Sequence, residues 1–251
     1  MKLIVLAAGQ GTRLRPLTDN IPKCMVPLEG TPLLERQLAT AREVGLTDLH
    51  VATGYREDAI DYPGVTKHYN PDYDRTNMVA TLFCAEEIMD DDLIVAYGDI
   101  VYQPDVLHAL IDNPHPVGVV VDREWQRYWA ARQEDPLIDA ETMKLRDDDT
   151  IIELGKKPRS LDEVQGQYIG LMKFTREALA TIRPFYHGLD RDAVYDGKDY
   201  PNMYMTSFLQ LIADNLMPLH AVYIRNGWME IDAPSDLVFT DFLYRRGLAA
   251  E

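Results

Sequence analysis

Short apolar, partly β-branched runs recur along the first half of the chain at Leu3–Ala8, Leu49–Thr53, Leu93–Tyr97 and Val117–Val121, and helix-period patterns separate several of them. The clearest helix begins at Pro32, carries Leu33, Leu34, Gln37, Leu38 and Ala41 on a mainly apolar face, and stops at Gly45. A second is predicted over 77–89, with Thr76 or Asn77 as its cap. Strands alternating with helices specify an α/β protein with crossover connections. Right-handed crossovers would bring the loops after Ala8 and Tyr97 to the carboxyl edge of the sheet, where open α/β sheets bind ligands.

After Val121 the pattern changes. The stretch DREWQRYWAARQEDP is polar and aromatic, while LIDAETMKL, TIIELG and QYIGLMKFT read as further strands of a mixed sheet. RPFYHGLDRDAVYDGKDYPNMYM lacks a clear period and is long for a plain connection, which points to a lid or to a subunit contact, the second of which would make a homodimer. The end of the chain reads as strand, turn, strand and helix, with Pro234 at the helix start. There is no internal repeat and no low-complexity spacer, so the expectation is one domain over 1–251.

Charge narrows the function. With 41 acidic against 25 basic residues and a net charge of −16, a broad nucleic-acid or anionic-membrane surface is not expected, and the basic residues must act locally. The runs Asp90–Asp92 and Asp147–Asp149 fall between apolar segments and read as solvated turns. No stretch approaches the ~20 apolar residues that span a bilayer. Cys24 and Cys84 lie far apart without a signal-peptide pattern, as expected of reduced thiols in a cytoplasmic protein. The six histidines lack metal-ligand spacing, and no Ser, His and Asp grouping supports hydrolysis.

Candidate chemistry starts at the first strand. Gly9, Gly11 and Thr12 make a turn whose backbone N–H groups can converge on phosphate oxygens, with Arg13 and Lys23 adding fixed charge. The turn lacks the Gly-Lys-Ser/Thr ending of a P-loop, and Leu14 stands at the last glycine of a dinucleotide fingerprint. On the residues alone, an anion site and a plain strand-to-loop turn are both open.

The segments LAAGQGTRLRPLT, PKCMVPLEGTPLLERQL, YGDI and WMEIDAPSDL, in that order, resemble the nucleotidyltransferases that activate sugar phosphates and phosphorylated small alcohols with a nucleoside triphosphate. The resemblance covers nearly the whole chain. HYNPDYDRTNMVATLFCAEE, VDREWQRYWAARQEDPLIDAE and LGKK are most similar to the phosphocholine and phosphonate cytidylyltransferase branch. It implies a Rossmann-like, mostly parallel mixed sheet flanked by helices, of the nucleotide-diphospho-sugar transferase type, with an inserted acceptor-site region. Residues 1–121 would mainly bind nucleotide, 122–227 the acceptor and a lid, and 228–251 would add a metal-site strand and a helix. The implied reaction transfers CMP from CTP to a small phosphate or phosphonate. A sugar-1-phosphate enzyme using UTP or dTTP and a non-catalytic nucleotide-binding subunit are the alternatives.

By that resemblance Gly9, Gln10, Gly11, Thr12 and Arg13 would bind the triphosphate, Lys23 would contact phosphate, and Asp99 would hold Mg²⁺. Asp99 follows an apolar strand, where a carboxylate can reach an α-phosphate. Glu230 and Asp232 alternate on one strand face, and Asp232 is the favoured second ligand, with Glu230 the alternative. Lys156 is expected at the acceptor phosphate. The Ala7–Ala8 backbone, Tyr55, Asn77 and Thr81 are candidates for base and ribose. Trp125, Tyr128 and Trp129, with Tyr195, Asp190 and Asp192, would surround a cationic amine on the acceptor, the other reading being that such aromatics only pack the insertions.

Overall fold

The computed structural model describes residues 1–247, and seven strands form its main sheet. They are β1 (Lys2–Ala7), β2 (Leu49–Thr53), β3 (Val65–Tyr69), β4 (Leu93–Tyr97), β5 (Val117–Asp122), β6 (Gln167–Phe174) and β7 (His220–Ile224). Their spatial order is β7-β5-β6-β4-β1-β2-β3. Strand β6 runs antiparallel to β4 and β5, and the other pairings are parallel. The expected mixed, mostly parallel sheet is therefore what forms. Because β6 inserts between β4 and β5, both halves of the chain share one sheet.

Helices cover both faces. Strand β1 sends Leu3 and Val5 into one apolar cluster, with Leu34 and Leu38 of α1 (Leu33–Glu43) and Val106 and Leu110 of α3 (Pro104–Ile111). Its alternate residues Ile4 and Leu6 join the other cluster. There they meet Val79 of α2 (Met78–Phe83), Leu179 of α5 (Arg176–Gly188) and Phe208 of α6 (Met205–Asn215). Burial on both sides explains why β1 is a continuous apolar run rather than an alternating one.

Several local expectations shift. The helix predicted over 77–89 ends at Phe83 and continues as a 3-10 turn, Glu86–Ile88. The break lets buried Ile88 and Met89 fold into the core, so tertiary packing overrides the helical pattern. In LIDAETMKL only Met143–Leu145 is a strand, since Asp135 accepts from Leu137 N at 2.9 Å and starts a turn at Pro136. The polar-aromatic stretch forms α4 (Trp125–Arg132). Arg183 to Gly188, read as irregular, complete α5, where Tyr186 stacks on Phe83 and Tyr200. After Pro234 a 3-10 turn, Pro234–Val238, precedes the short α7 (Thr240–Tyr244). Among the described residues no helix is long and apolar enough to cross a membrane.

Candidate functional site

The carboxyl ends of β1 and β4 are adjacent, with Leu6 opposite Tyr97, and a cleft of about 390 Å³ opens at that edge. The volume suits a small ligand. Its wall takes Ala7 from the end of β1, Ala8, Gly9 and Gly11 from the loop that follows, the cap Asn77 and Thr81 from α2, and Asp99 from the turn after β4. Arg13, Lys23, Glu230 and Asp232 complete its charged side.

The loop is shaped around Lys23. Gly11 has φ +69°, and a Cβ there would lie 2.8 Å from Lys23 Cβ, so any side chain would displace the lysine stem as well as strain the backbone. Thr18 Oγ1 donates to the Gly11 carbonyl at 2.8 Å and fixes the loop's return. Among the described residues, the N–H groups of Gly9, Gln10 and Gly11 have no protein acceptor outside ladder bonding. Such N–H groups beside two cations are suited to an anion.

Opposite the loop, the two metal-candidate carboxylates share one scaffold. Trp228–Glu230 pairs antiparallel with Ile100–Tyr102, and Ile231 N donates to the Asp99 carbonyl at 2.9 Å. Lys23 Nζ lies 2.6 Å from Asp99 Oδ2 and also donates to Asp232 Oδ1. Arg13 Nη2 is 3.0 Å from the same Asp232 oxygen. Burial alone would lower the Lys23 pKa, but the two carboxylates outweigh it and hold the ammonium well above the ordinary lysine range. Burial would raise Asp232, and Lys23 with Arg13 overcomes that and holds it below the usual carboxylate range.

The donor set fits Mg²⁺. Asp99 and Asp232 already share one cation, and among the described residues no group of three His, Cys, Asp or Glu side chains could hold a metal ion by itself. Two carboxylates completed by substrate phosphate oxygens match the way magnesium binds in phosphoryl-transfer sites. Cys24, also in the wall, has a buried thiol pushed up to about 12, so it stays protonated and is a packing group rather than a nucleophile.

Glu230 reaches the cleft but is held from behind. Arg132, 5% exposed, bonds Glu230 Oε1 through Nη1 and lies 3.1 Å from Asp236 Oδ1 through Nε. Burial drives the Glu230 carboxyl up to about 7 against the pull of Arg132. Arg132 and Asp236 escaped the sequence reading, although Arg132 sits one helical turn after Tyr128, a spacing that places the two together. Tyr73, Thr76 and Met78 of the wall were also missed. A Cβ on Gly54 would stand 2.5 Å from Tyr73 Cβ, so that glycine is what lets Tyr73 come in.

Other expected site residues are placed differently. Gln10, Thr12 and Tyr55 are not in the cleft wall, and Tyr55 donates its hydroxyl to the Asp19 carbonyl at 2.7 Å. Asn77 caps α2 by accepting from Met78 N at 2.8 Å while still facing the cleft. Thr81 accepts from buried Asn70 at 2.9 Å. Trp125, Tyr128 and Trp129 are 2%, 0% and 2% exposed in the core, so they cannot surround an acceptor amine; their spacing is that of one buried helix face. Lys156 is half exposed, pairs with Glu153, and lines a separate depression with Tyr195, Asp196 and Asp214 rather than the cleft. Asp190 and Asp192 form an exposed turn in which the Asp190 carbonyl accepts from Tyr195 at 2.6 Å. Of the proposed acceptor set the fold thus brings only Lys156 and Tyr195 to a common depression, and that lies apart from the cleft.

The sequence matches the MobA-like NTP transferase domain family over residues 3–188, and the chain belongs to that family. The CTP:phosphoglutamine cytidylyltransferase of Campylobacter jejuni is 42% identical over 248 residues, covering 94% of this chain and 98% of the relative. The choline-phosphate cytidylyltransferase of Streptococcus pneumoniae is 36% identical over 99 residues, covering 38% of this chain and 43% of the relative. The solved CTP:phosphocholine cytidylyltransferase from Streptococcus pneumoniae superposes with a TM-score of 0.70 at 21% identity, covering 97% of this chain and 98% of that one. The inositol-1-phosphate CTP transferase from T. maritima gives 0.71 at 19%, covering 99% and 98%. These superpositions establish the nucleotidyltransferase fold.

Proposed function

We propose that this member of the MobA-like NTP transferase domain family transfers CMP from CTP to a small phosphorylated acceptor of the phosphoglutamine type, releasing pyrophosphate with Mg²⁺ held by Asp99 and Asp232. The observation that carries the reading is the meeting of Lys23 with Asp99 and Asp232 beside the glycine loop. The choice of cytidylyl transfer and of acceptor rests on the relative that matches nearly end to end. Burial of Trp125, Tyr128 and Trp129 in the core removes the aromatic surround that favoured a choline-like or aminophosphonate acceptor.

In this reaction an acceptor phosphate oxygen attacks the α-phosphorus, a new P–O bond forms, and the bond to the bridging oxygen of the β-phosphate breaks in line. The acceptor is already an anion, so no general base is required, and charge neutralisation with positioning supplies the acceleration. Backbone N–H groups of Gly9 to Gly11 and the Arg13 guanidinium orient the triphosphate. Lys23 leaves its two carboxylates for a phosphate oxygen when the nucleotide arrives. Mg²⁺ held by Asp99 and Asp232 would supply positive charge to offset what develops on the phosphate in the transition state. Asn77, Thr81 and the Ala7–Ala8 backbone face the slot left for the base and ribose.

The test follows label from [α-³²P]CTP into phosphoglutamine or phosphocholine. Label should enter phosphoglutamine with stoichiometric pyrophosphate. Equal or greater transfer to phosphocholine would overturn the acceptor class, and transfer to neither would overturn the reading.

A further inference from the structure

Glu230 ends the strand Trp228–Glu230 and Asp232 follows two residues later in the bend beyond it, and both carboxylates reach the cleft. We propose that Arg132, acting with Asp236, is a positioning residue that divides their roles: it holds Glu230 as its counter-ion and leaves Asp232 to share the metal with Asp99. This rests on the cleft being the Mg²⁺·CTP site.

The guanidinium is built into place from every side. Arg132 closes α4, where a cation meets the negative end of the helix, and lies over the rings of Tyr128 and Trp129 at 5.2 and 5.3 Å. Its Nη1 donates to Glu230, while Nε and Nη2 lie 3.1 and 3.3 Å from the two oxygens of Asp236. Asp236 is itself 4% exposed, and its Oδ2 accepts from Asp232 N at 2.7 Å and Ala233 N at 2.8 Å. One ion-pair network therefore grips Glu230 by its carboxylate and Asp232 by its backbone. Tyr128 reinforces the first grip, donating to the Glu230 carbonyl at 3.2 Å and accepting from Glu230 N at 3.1 Å. A guanidinium withdrawn from water cannot release a counter-ion without leaving charge uncompensated, so Glu230 stays with Arg132. Among the described residues the Asp232 carboxylate makes its ion pairs with Lys23 and Arg13, the cations expected to move to phosphate, while Arg132 reaches it only through space.

Isothermal titration of Mn²⁺·CTP onto the intact chain separates the possibilities. Asp99→Asn should weaken binding at least tenfold; if it does not, the metal-nucleotide reading fails, whatever Arg132 does. With Asp99 essential, Glu230→Gln should leave binding within about twofold, whereas a tenfold loss would make Glu230 a ligand and overturn the division of roles. Arg132→Met should free Glu230 for the cation and tighten Mn²⁺·CTP about tenfold, and Arg132→Met combined with Glu230→Gln should restore the original affinity. Arg132→Met that only lowers the melting temperature, with unchanged affinity of the folded fraction, would reduce Arg132 to a structural role. If that variant does not fold, the Glu230→Gln titration decides alone.

Discussion

Lys23 Nζ stands 2.6 Å from Asp99 Oδ2 and bonds Asp232 as well, so one ammonium bridges carboxylates that reach it from two separate segments of the chain. On the proposed assignment of Asp99 and Asp232 to Mg²⁺, lysine and metal would compete for the same two carboxylates. Lys23→Met keeps the stem and removes the charge. It should raise affinity for free Mn²⁺ about tenfold while lowering kcat/KM about 10²-fold or more through loss of a phosphate contact. Paramagnetic titration of Mn²⁺ without nucleotide, beside steady-state kinetics, checks both; unchanged metal affinity would contradict the competition.

Trp125 is a core residue, and its removal should behave as such. Trp125→Ala should cost about 3–5 kcal/mol of stability. In whatever fraction folds, KM values for CTP and acceptor should shift together or not at all. A selective rise in the acceptor KM with normal urea stability would return this side chain to the acceptor site.

Lys156 offers the converse case. It pairs with Glu153 on the surface at 3.3 Å, away from the cleft wall. Lys156→Ala should therefore keep kcat/KM within about threefold, as expected for a screened surface pair. A loss of 10²-fold or more would show that the acceptor phosphate reaches this lysine.

Much of the cleft wall was legible in the chain because its signals are local. A glycine turn after a buried strand, a following lysine and a carboxylate after a later strand can each be read within a few residues; Glu230 and Asp232 do meet at one cleft, although the strand read through both ends at Glu230. The acceptor half was misread for a physical reason. Trp125, Tyr128 and Trp129 stand at helical spacing, which buries them, yet their chemistry suggested a cation pocket. Arg132 acquires its role only through a contact 98 positions away with Glu230, which no window of sequence displays.

Glu141 gives a pH signature that does not depend on the metal site. Burial, and then Asp139, raises its carboxyl from 4.5 to about 7. The folded state therefore holds this proton more tightly than the unfolded chain, so the contribution to stability is largest below about 4.5 and declines as pH rises through about 7. Glu141→Gln should match the unmodified protein near pH 4.5 and exceed it by about 3 kcal/mol at pH 8. Urea midpoints at the two pH values test this; a difference that does not grow with pH would contradict it.

The most direct measurement of the central claim is pyrophosphate release by the unmodified protein, with CTP, UTP, dTTP and ATP each supplied in turn with phosphoglutamine, phosphocholine, 2-aminoethylphosphonate and glucose-1-phosphate. The account predicts that CTP with phosphoglutamine gives the highest kcat/KM, at least about 10²-fold above UTP or dTTP with glucose-1-phosphate, and that chelation of Mg²⁺ abolishes it. Faster turnover of UTP or dTTP with the sugar phosphate, or tight CTP binding without turnover of any acceptor, would contradict it.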